Sequence, residues 1–244
     1  MKSVVIVGGT SQVEQEIAKI HALAHDKLFL IGRNETRLQQ IASDLIIRGA
    51  VECEVMVQDL VEFGTHTHML DGVYEWGQPD VVYFAHGVLP DQKAAENSFV
   101  EMKKSFDVNA MSVISILTEL ANRMEKDRRG QIVVISSVAG DRGRKSNYVY
   151  GAAKGVVSIF CQGLRNRLFD SGVGLTTVKP GFIDTPMTAE FEKGALWASP
   201  SKVAQDIVRG ASKKRNVIYT PSFWLVIMLI IKSIPEFIFK RLSL

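Results

Sequence analysis

Short apolar runs of strand length alternate along the chain with longer segments in which apolar residues return every three or four positions. The short runs occupy 4–7, 28–31, 51–57, 81–84, 132–135, 175–178 and 217–219. Several of them, such as Val4-Val5-Ile6-Val7, carry no polar residue, the pattern of a strand covered on both faces. The helical segments lie near 12–24, 35–48, 61–75, 95–126, 149–170 and 201–212. Strand and helix in strict alternation, closing on a strand, predict an α/β fold: a single Rossmann-type doubly wound parallel sheet of about seven strands, with helices on both faces. Ligands of such sheets bind outside the carboxyl ends of the strands where the winding reverses, so the loops after strands one, four, five and six are the ones to read for chemistry.

Residues 221–244 break this rhythm and are read as a separate helical tail on a domain formed by 1–220. Thr220-Pro221 starts a helix, 223–231 is uninterrupted apolar sequence, and Ser233-Ile234-Pro235-Glu236 reads as a second helix start, so two short helices are expected. A spanning helix needs about 20 apolar residues, and Lys232 interrupts this run sooner. Lys232, Glu236 and Lys240 at spacings of four are expected to form one polar stripe beside Trp224, Phe237, Ile238 and Phe239. Such an amphipathic segment over 222–244 suits the headgroup region of a membrane; burial against a second subunit or over a substrate cleft is the alternative.

Composition narrows the class. A chain of 244 residues with 46% hydrophobic residues can bury a large core, and no low-complexity tract or linker divides it. The net charge of +3 is small and scattered, which argues against nucleic acid as a partner. Cys53 and Cys161 stand far apart with no CxxC spacing, so neither a metal site nor a disulfide is expected and a reducing compartment fits best. Met1-Lys2-Ser3 runs directly into the first strand; this is not a signal-peptide pattern, and a cytoplasmic protein is expected, peripheral to the membrane surface if the tail meets lipid.

The first strand is followed by Gly8-Gly9-Thr10-Ser11-Gln12-Val13-Glu14 and then a helix. A glycine turn there lets backbone N–H groups at a helix N-terminus meet a pyrophosphate. Gln12 and Glu14 stand where a full dinucleotide fingerprint has further glycines. An acid is an awkward neighbour for a phosphate, so the stretch fits either a nucleotide loop or an ordinary strand-to-helix turn. The second strand ends Ile31-Gly32-Arg33-Asn34. No acid is offered there to a ribose 2′-hydroxyl, while the Arg33 guanidinium suits a 2′-phosphate; NADP(H) is expected rather than NAD(H).

The fifth strand leads into Ser136-Ser137-Val138-Ala139-Gly140, and the next helix carries Tyr150-Gly151-Ala152-Ala153-Lys154. A tyrosine and a lysine four residues apart share one helix face. The ammonium is expected to stabilise the phenolate and bring the phenol down from its ordinary pKa of about 10 towards working pH. That makes a proton-transfer group.

By this YxxxK pair, with Ser137 at the matching distance before it, the chain resembles the short-chain dehydrogenase/reductase family. The likeness extends to about residue 220 through Asp59, through Ala85-His86-Gly87, where the family often has Asn-Ala-Gly, through Asn109, and through Pro180-Gly181 with Thr185. The resemblance implies a catalytic set of Asn109, Ser137, Tyr150 and Lys154. Tyr150 would protonate a carbonyl oxygen in reduction, Ser137 would hold that oxygen, Lys154 would bind the nicotinamide ribose, and Asn109 would hold a water in the proton path. It further implies cofactor contacts from Gly8, Thr10, Ser11, Gln12, Val13, Arg33, Asp59, Leu60, Ala85, His86, Gly87, Asn109, Tyr150, Lys154, Pro180, Gly181, Ile183 and Thr185, and a dimer or tetramer.

A narrower likeness is to bacterial reductases that act on the 2-keto sugar of a polyprenyl-phosphate pentose. It rests on 85–92, on 140–148 and on the tail. It implies that Arg142, Arg144 or Lys145 meets a lipid phosphate, a solvated basic loop being the alternative. The expected activity is NADP(H)-dependent reduction of a ketone, on a lipid-linked keto sugar or as a soluble reductase of 3-oxoacyl or small carbonyl substrates. The incomplete glycine loop keeps open a catalytically silent nucleotide-binding protein that recruits a membrane partner.

Overall fold

The computed structural model describes residues 1–242; Ser243 and Leu244, the end of the expected tail, lie outside the described residues. In chain order the elements are β1 (Ser3–Val7), α1 (Gln12–Leu23), β2 (Lys27–Gly32), α2 (Glu35–Ile47), β3 (Glu52–Val57), α3 (His66–Trp76), β4 (Val81–Phe84), α4 (Gln92–Asn97), α5 (Phe99–Phe106), a π turn (Asp107–Met111) and α6 (Ser112–Asp127). Then come β5 (Gln131–Ile135), α7 (Tyr148–Leu168), β6 (Gly174–Pro180), β7 (Phe182–Ile183), β8 (Trp197–Ala198), α8 (Pro200–Ser212), β9 (Val217–Thr220), α9 (Phe223–Ser233) and α10 (Glu236–Phe239).

Seven strands pair in parallel in the order β3-β2-β1-β4-β5-β6-β9, and β7 and β8 form a separate two-stranded ladder. The seven expected strands are all present. Why their sequences lack polar alternation is visible in the packing. Val5 and Val7 of β1 enter one apolar cluster, shared with Leu117 and Leu120 of α6 and Val157 and Leu168 of α7. Val4 and Ile6 enter the other, with Ile17 of α1, Leu38 and Leu45 of α2 and Ile207 of α8. Successive side chains point to opposite faces, and both faces are covered. The winding reverses between β2-β1 and β4-β5, where Val7 is in register with both Ile31 and Phe84. The crevice expected from the pattern therefore opens at the carboxyl ends of β1 and β4.

The segment expected as one helix over 95–126 is broken. Ser98 leaves α4 in extended conformation and caps α5 by accepting from the Glu101 N–H, and the π turn then inserts before α6. One extra residue in the ladder rotates the remainder of the helix by about a quarter turn, which apolar spacing alone does not register.

The tail folds as two short helices, as expected. Trp224 and Met228 are buried against Val138, with Tyr219, Ile227 and Ile231 packed around them. The expected single polar stripe is not formed: Lys232 belongs to α9 and Glu236 to α10, and the chain turns at Ile234-Pro235 between them. Among the described residues no helix is long and apolar enough to cross a membrane.

The expected phosphate-binding role of the basic loop is also corrected for two of its members. The Arg142 guanidinium donates to the carbonyls of Ile231 (2.6 Å), Lys232 (3.3 Å) and Ile234 (2.6 Å), meets the Glu236 carboxylate at 3.1 Å, and lies 3.6 Å over the Phe239 ring. The carbonyls at a helix C-terminus have no partners within the helix and carry partial negative charge; Arg142 satisfies them. Arg144 turns to the Met228 sulfur. Beneath them Asp141 pairs with Lys179 and accepts from the Tyr219 hydroxyl at 2.6 Å, tying the loop after β5 to β6 and β9.

Replacing Arg142 should free the tail without unfolding the sheet. We expect Arg142→Ala to lower the local stability of α9 and α10 by on the order of 2 kcal/mol, the scale of losing charge-assisted hydrogen bonds. Amide hydrogen exchange checks this: protection should drop in 223–239 and stay unchanged in β1, β4 and β5.

Candidate active site

The turn after β1 is stapled to its neighbour: the N–H groups of Gly8 and Gly9 both donate to the Ile31 carbonyl, at 2.8 and 2.9 Å. Gly8 has φ +101°, and a Cβ there would lie 2.8 Å from His86 Cβ and 2.9 Å from Glu14 Oε2, so both conformation and space require glycine. Ser11 caps α1 by accepting from the Glu14 N–H. Thr10 and Gln12 lie at the rim, and Val13 is buried under the helix start.

Glu14 does not face the phosphate path as its place in the fingerprint implied. Its side chain turns inward beneath the turn, fully buried, and Oε1 accepts from the Ala85 N–H at 2.7 Å. Burial raises its carboxyl well above the ordinary value; hydrogen bonds from Ser11 and Ala85 and the charge of Lys154 oppose this without outweighing it. This buried carboxyl joins the loops after β1 and β4. Sequence reasoning missed this strut, and the signal it held was the absence of the glycine.

Beside the end of β2, exposed Arg33 lines a cleft together with Thr10, Asn34, Glu35 and Thr36. Asn34 caps α2 by accepting from the Arg37 N–H at 2.9 Å, so the start of α2 adds its positive end to the guanidinium. After β3, Asp59 Oδ1 accepts from the Val61 N–H, and the buried Leu60 offers its carbonyl to His66.

The loop after β4 is held from inside. His86 Nε2 lies 2.8 Å from Ser112 Oγ. That hydroxyl donates to the Val108 carbonyl, so the imidazole is assigned as its donor. Burial, then the charge of Lys154, pushes His86 down to about 3, and the ring is neutral. Asn109, in the π turn and fully buried, accepts from the Val88 N–H at 3.0 Å and donates to the Val88 carbonyl at 2.9 Å and to Ser105. Its amide is thus engaged chiefly in clamping the loop. Gly87 passes between Asn109 and Lys154: a Cβ there would come 2.6 Å from Asn109 Oδ1 and 3.4 Å from Lys154 Nζ.

The two serines after β5 part company. Ser136 points inward, donating to the Lys154 carbonyl at 2.9 Å and meeting Ser158 Oγ at 2.8 Å. Ser137 is partly exposed; its hydroxyl accepts from the Ala139 N–H at 3.1 Å and lies near enough to Tyr150 to act on its proton. Tyr150 sits in the first turn of α7, and Lys154 Nζ lies 5.8 Å from its ring centroid and 3.3 Å from the Ile135 carbonyl.

The expectation that the lysine brings the phenol towards neutrality is corrected. The Tyr150 ring is partly exposed, but desolvation of the hydroxyl pushes it up to about 12, with the neighbouring Ser137 hydroxyl pulling the other way. Lys154 is buried and brought down to about 8 by that burial, which the charge of Glu14 opposes.

The loop after β6 closes the other side. Pro180 is buried, and Gly181 is partly exposed beneath the indole of Trp224, which a Cβ at 181 would overlap. Trp224 was read from the sequence only as part of the tail. Ile183 pairs with Ala198, and Thr185 opens a short turn whose N–H donates to Thr188. The structure thus collects Gly8, Arg33, Ala85, His86, Gly87, Asn109, Ser137, Tyr150, Lys154, Gly181 and Thr185 on loops and helix starts at one end of the sheet.

Comparison with known proteins agrees with this arrangement. Residues 2–195 match the family model described as short chain dehydrogenase. A Mycobacterium tuberculosis protein named an uncharacterized oxidoreductase is 32% identical over 240 residues, covering 98% of this chain and 96% of its own. A Streptomyces coelicolor protein of the same description is 26% identical, covering 99% and 96%. Among solved structures, a short-chain dehydrogenase from Sphingobium yanoikuyae in complex with NADPH superposes with a TM-score of 0.83 at 20% identity, covering 97% of each chain.

The upward shift of the Glu14 carboxyl has a sign that can be measured. A carboxyl whose folded-state pKa exceeds its ordinary 4.5 keeps a proton that the unfolded chain gives up, so folding stability falls as pH rises through 4.5 and levels off above the folded pKa. Relative to the Glu14→Gln variant, the parent should lose up to about 1.4 kcal/mol per pH unit in that window. Urea unfolding across the acid to neutral range checks it; parallel stability profiles would mean that Glu14 is ionised in the fold.

Proposed function

We propose, since this chain belongs to the short-chain dehydrogenase family, that it reduces a ketone to a secondary alcohol with NADPH as hydride donor, Tyr150 acting as the acid. The observation that carries the reading is a phenol beside Ser137 and one helical turn from a buried ammonium, whose Nζ lies 5.8 Å from the Tyr150 ring centroid. NADPH supplies the hydride that adds to the carbonyl carbon. The Tyr150 O–H bond breaks and its proton passes to the carbonyl oxygen, which Ser137 polarises. The phenolate left behind is costly in a buried site unless a cation stands by, and Lys154 supplies it. Asn109 and Glu14 hold the loop after β4, which Lys154 approaches at Gly87.

The residues present fit the dinucleotide. The positive ends of α1 and α2 and the Arg33 guanidinium converge on the cleft beside Thr10, where an adenosine 2′-phosphate would find charge-assisted donors. With Glu14 turned inward, no carboxylate of the first turn opposes the pyrophosphate. The NADPH bound in the Sphingobium relative supports the same preference. The substrate is taken to be a secondary ketone on a sugar or a lipid-linked carrier. The protein is taken to act in the cytoplasm as a dimer or tetramer, for which exposed Phe99 and Val100 of α5 and Val156 and Ile159 of α7 offer apolar surface.

NADPH oxidation against a polyprenyl-phosphate 2-keto pentose and 3-oxoacyl thioesters tests the activity and separates the two substrate classes. Tyr150→Phe should lower kcat by about a hundredfold or more with NADPH affinity unchanged; full activity in that variant would remove the tyrosine from its role. Arg33→Ala should weaken NADPH about tenfold or more, the scale of one charge-assisted bond, and leave NADH as it was, read by nicotinamide fluorescence titration. Equal weakening of both would place the 2′-phosphate elsewhere.

A further inference from the structure

Helix α9 is apolar on every side, yet only one side is covered. Trp224, Ile227, Met228 and Ile231 pack on the body of the protein. On the opposite side Val226 is 59%, Leu229 56% and Ile230 62% exposed, and Phe237 of α10 adds a ring that is 63% exposed. A helix facing water ordinarily turns a polar side to it; an uncovered apolar side of this extent marks a partner.

Charge identifies the partner. Lys232, Lys240 and Arg241 are exposed, and among the described residues their side chains make no ion pair. The one acid of the tail, Glu236, is already engaged by Arg142. Two copies of this chain joined through the same face about a twofold axis would bring these cations together with no free tail acid between them. Anionic headgroups answer them directly, at about 1 kcal/mol per basic residue near the surface. An 11-residue helix is far shorter than the roughly 20 residues a span requires, so the contact is with the surface and not across it. We infer that the uncovered face of α9 and α10 docks on an anionic membrane, its apolar side chains at the acyl boundary and its cations among the headgroups.

The docked helix is also part of the candidate site. Its inner face places Trp224 over Gly181 and edge-on to Phe182 at 5.3 Å between ring centroids, and against Val138, the neighbour of Ser137. The site entrance is thereby held at the level of the lipid, and the ketone it takes is one presented by the bilayer. This last step rests on the reductase reading; the docking itself does not.

The test uses the full chain with sedimented vesicles of phosphatidylcholine alone and of equimolar phosphatidylcholine and phosphatidylglycerol. Binding should be confined largely to the anionic vesicles and fall as salt is raised. The double variant Leu229→Gln, Ile230→Gln alters only uncovered side chains. It should partition about tenfold more weakly or less, the scale of two apolar side chains withdrawn from the interface, while NADPH affinity and turnover of a water-soluble ketone stay at the parent's values. The proposal is overturned by absence of vesicle binding, by equal binding to both compositions, or by a double variant that binds as the parent does. It is also overturned if the double variant loses subunits in sedimentation equilibrium while keeping vesicle binding, which would assign the face to a second copy. Anionic-vesicle binding by the parent chain with no turnover of any ketone would count against the reductase reading alone.

Discussion

The backbone of 138–141 lies directly on helix α7, and the candidate site is set by that approach. A Cβ on Gly140 would come 2.7 Å from the main chain of Lys154 and Gly155, and one on Gly151 would come 2.8 Å from the Ala139 carbonyl. An approach too close to admit even a Cβ leaves little room for a slip along the helix. Ser136 fixes the same register from the inside, through the Lys154 carbonyl and Ser158. With loop and helix so locked, Ser137 is held at the start of the loop that faces Tyr150. From the opposite wall the π turn delivers Asn109 to the loop after β4, so that Gly87 passes close enough to leave Lys154 its place. The reacting groups are thus held by elements whose own positions are over-determined.

Burial rather than charge governs the protonation of these groups. Glu14 and Tyr150 are pushed up, and His86 and Lys154 are pushed down, each with desolvation as the largest cause. Every one of them is drawn towards its neutral form, and Lys154 is brought down to about 8. The lysine therefore has its effect less in the resting site, where it fails to lower the phenol, than at the moment a proton leaves Tyr150. The pair then carries opposite charges at short range in a poorly screened place. A spacing of four residues shows that the two groups can cooperate, but not which of burial and charge prevails, because burial depends on loops distant in sequence.

The same distinction separates what the sequence disclosed from what it did not. The seven strands were legible because a strand covered on both faces must be apolar throughout, a property of a few adjacent residues. Tyr150 and Lys154 were legible for a like reason, since one helical turn relates them. The break at Ser98 and the π turn were not, because an inserted residue shifts the phase of a helix without altering its composition. Nor was the two-stranded ladder of β7 and β8, whose strands are too short to show a period. Glu14 and Arg142 were misread for a deeper reason. Each is a charge whose partners lie far along the chain: the Ala85 N–H for one, the open carbonyls at the end of α9 for the other. A sequence shows that a charge is present; its destination depends on which polar groups the finished fold leaves unpaired.

Arg142 therefore links two regions that the sequence kept apart. The segment it belongs to begins at Ser137, lies on α7 through Gly140, is pinned by Asp141 to Lys179 and Tyr219, and ends in a guanidinium that holds the last carbonyls of α9. These anchors span only six consecutive residues, so a displacement at one end has little slack in which to be absorbed before the other. Trp224 closes the circuit by resting on Gly181 across the site. The tail is thus as much a boundary of the candidate site as the loops of the sheet, held there by Arg142 on one side and Trp224 on the other.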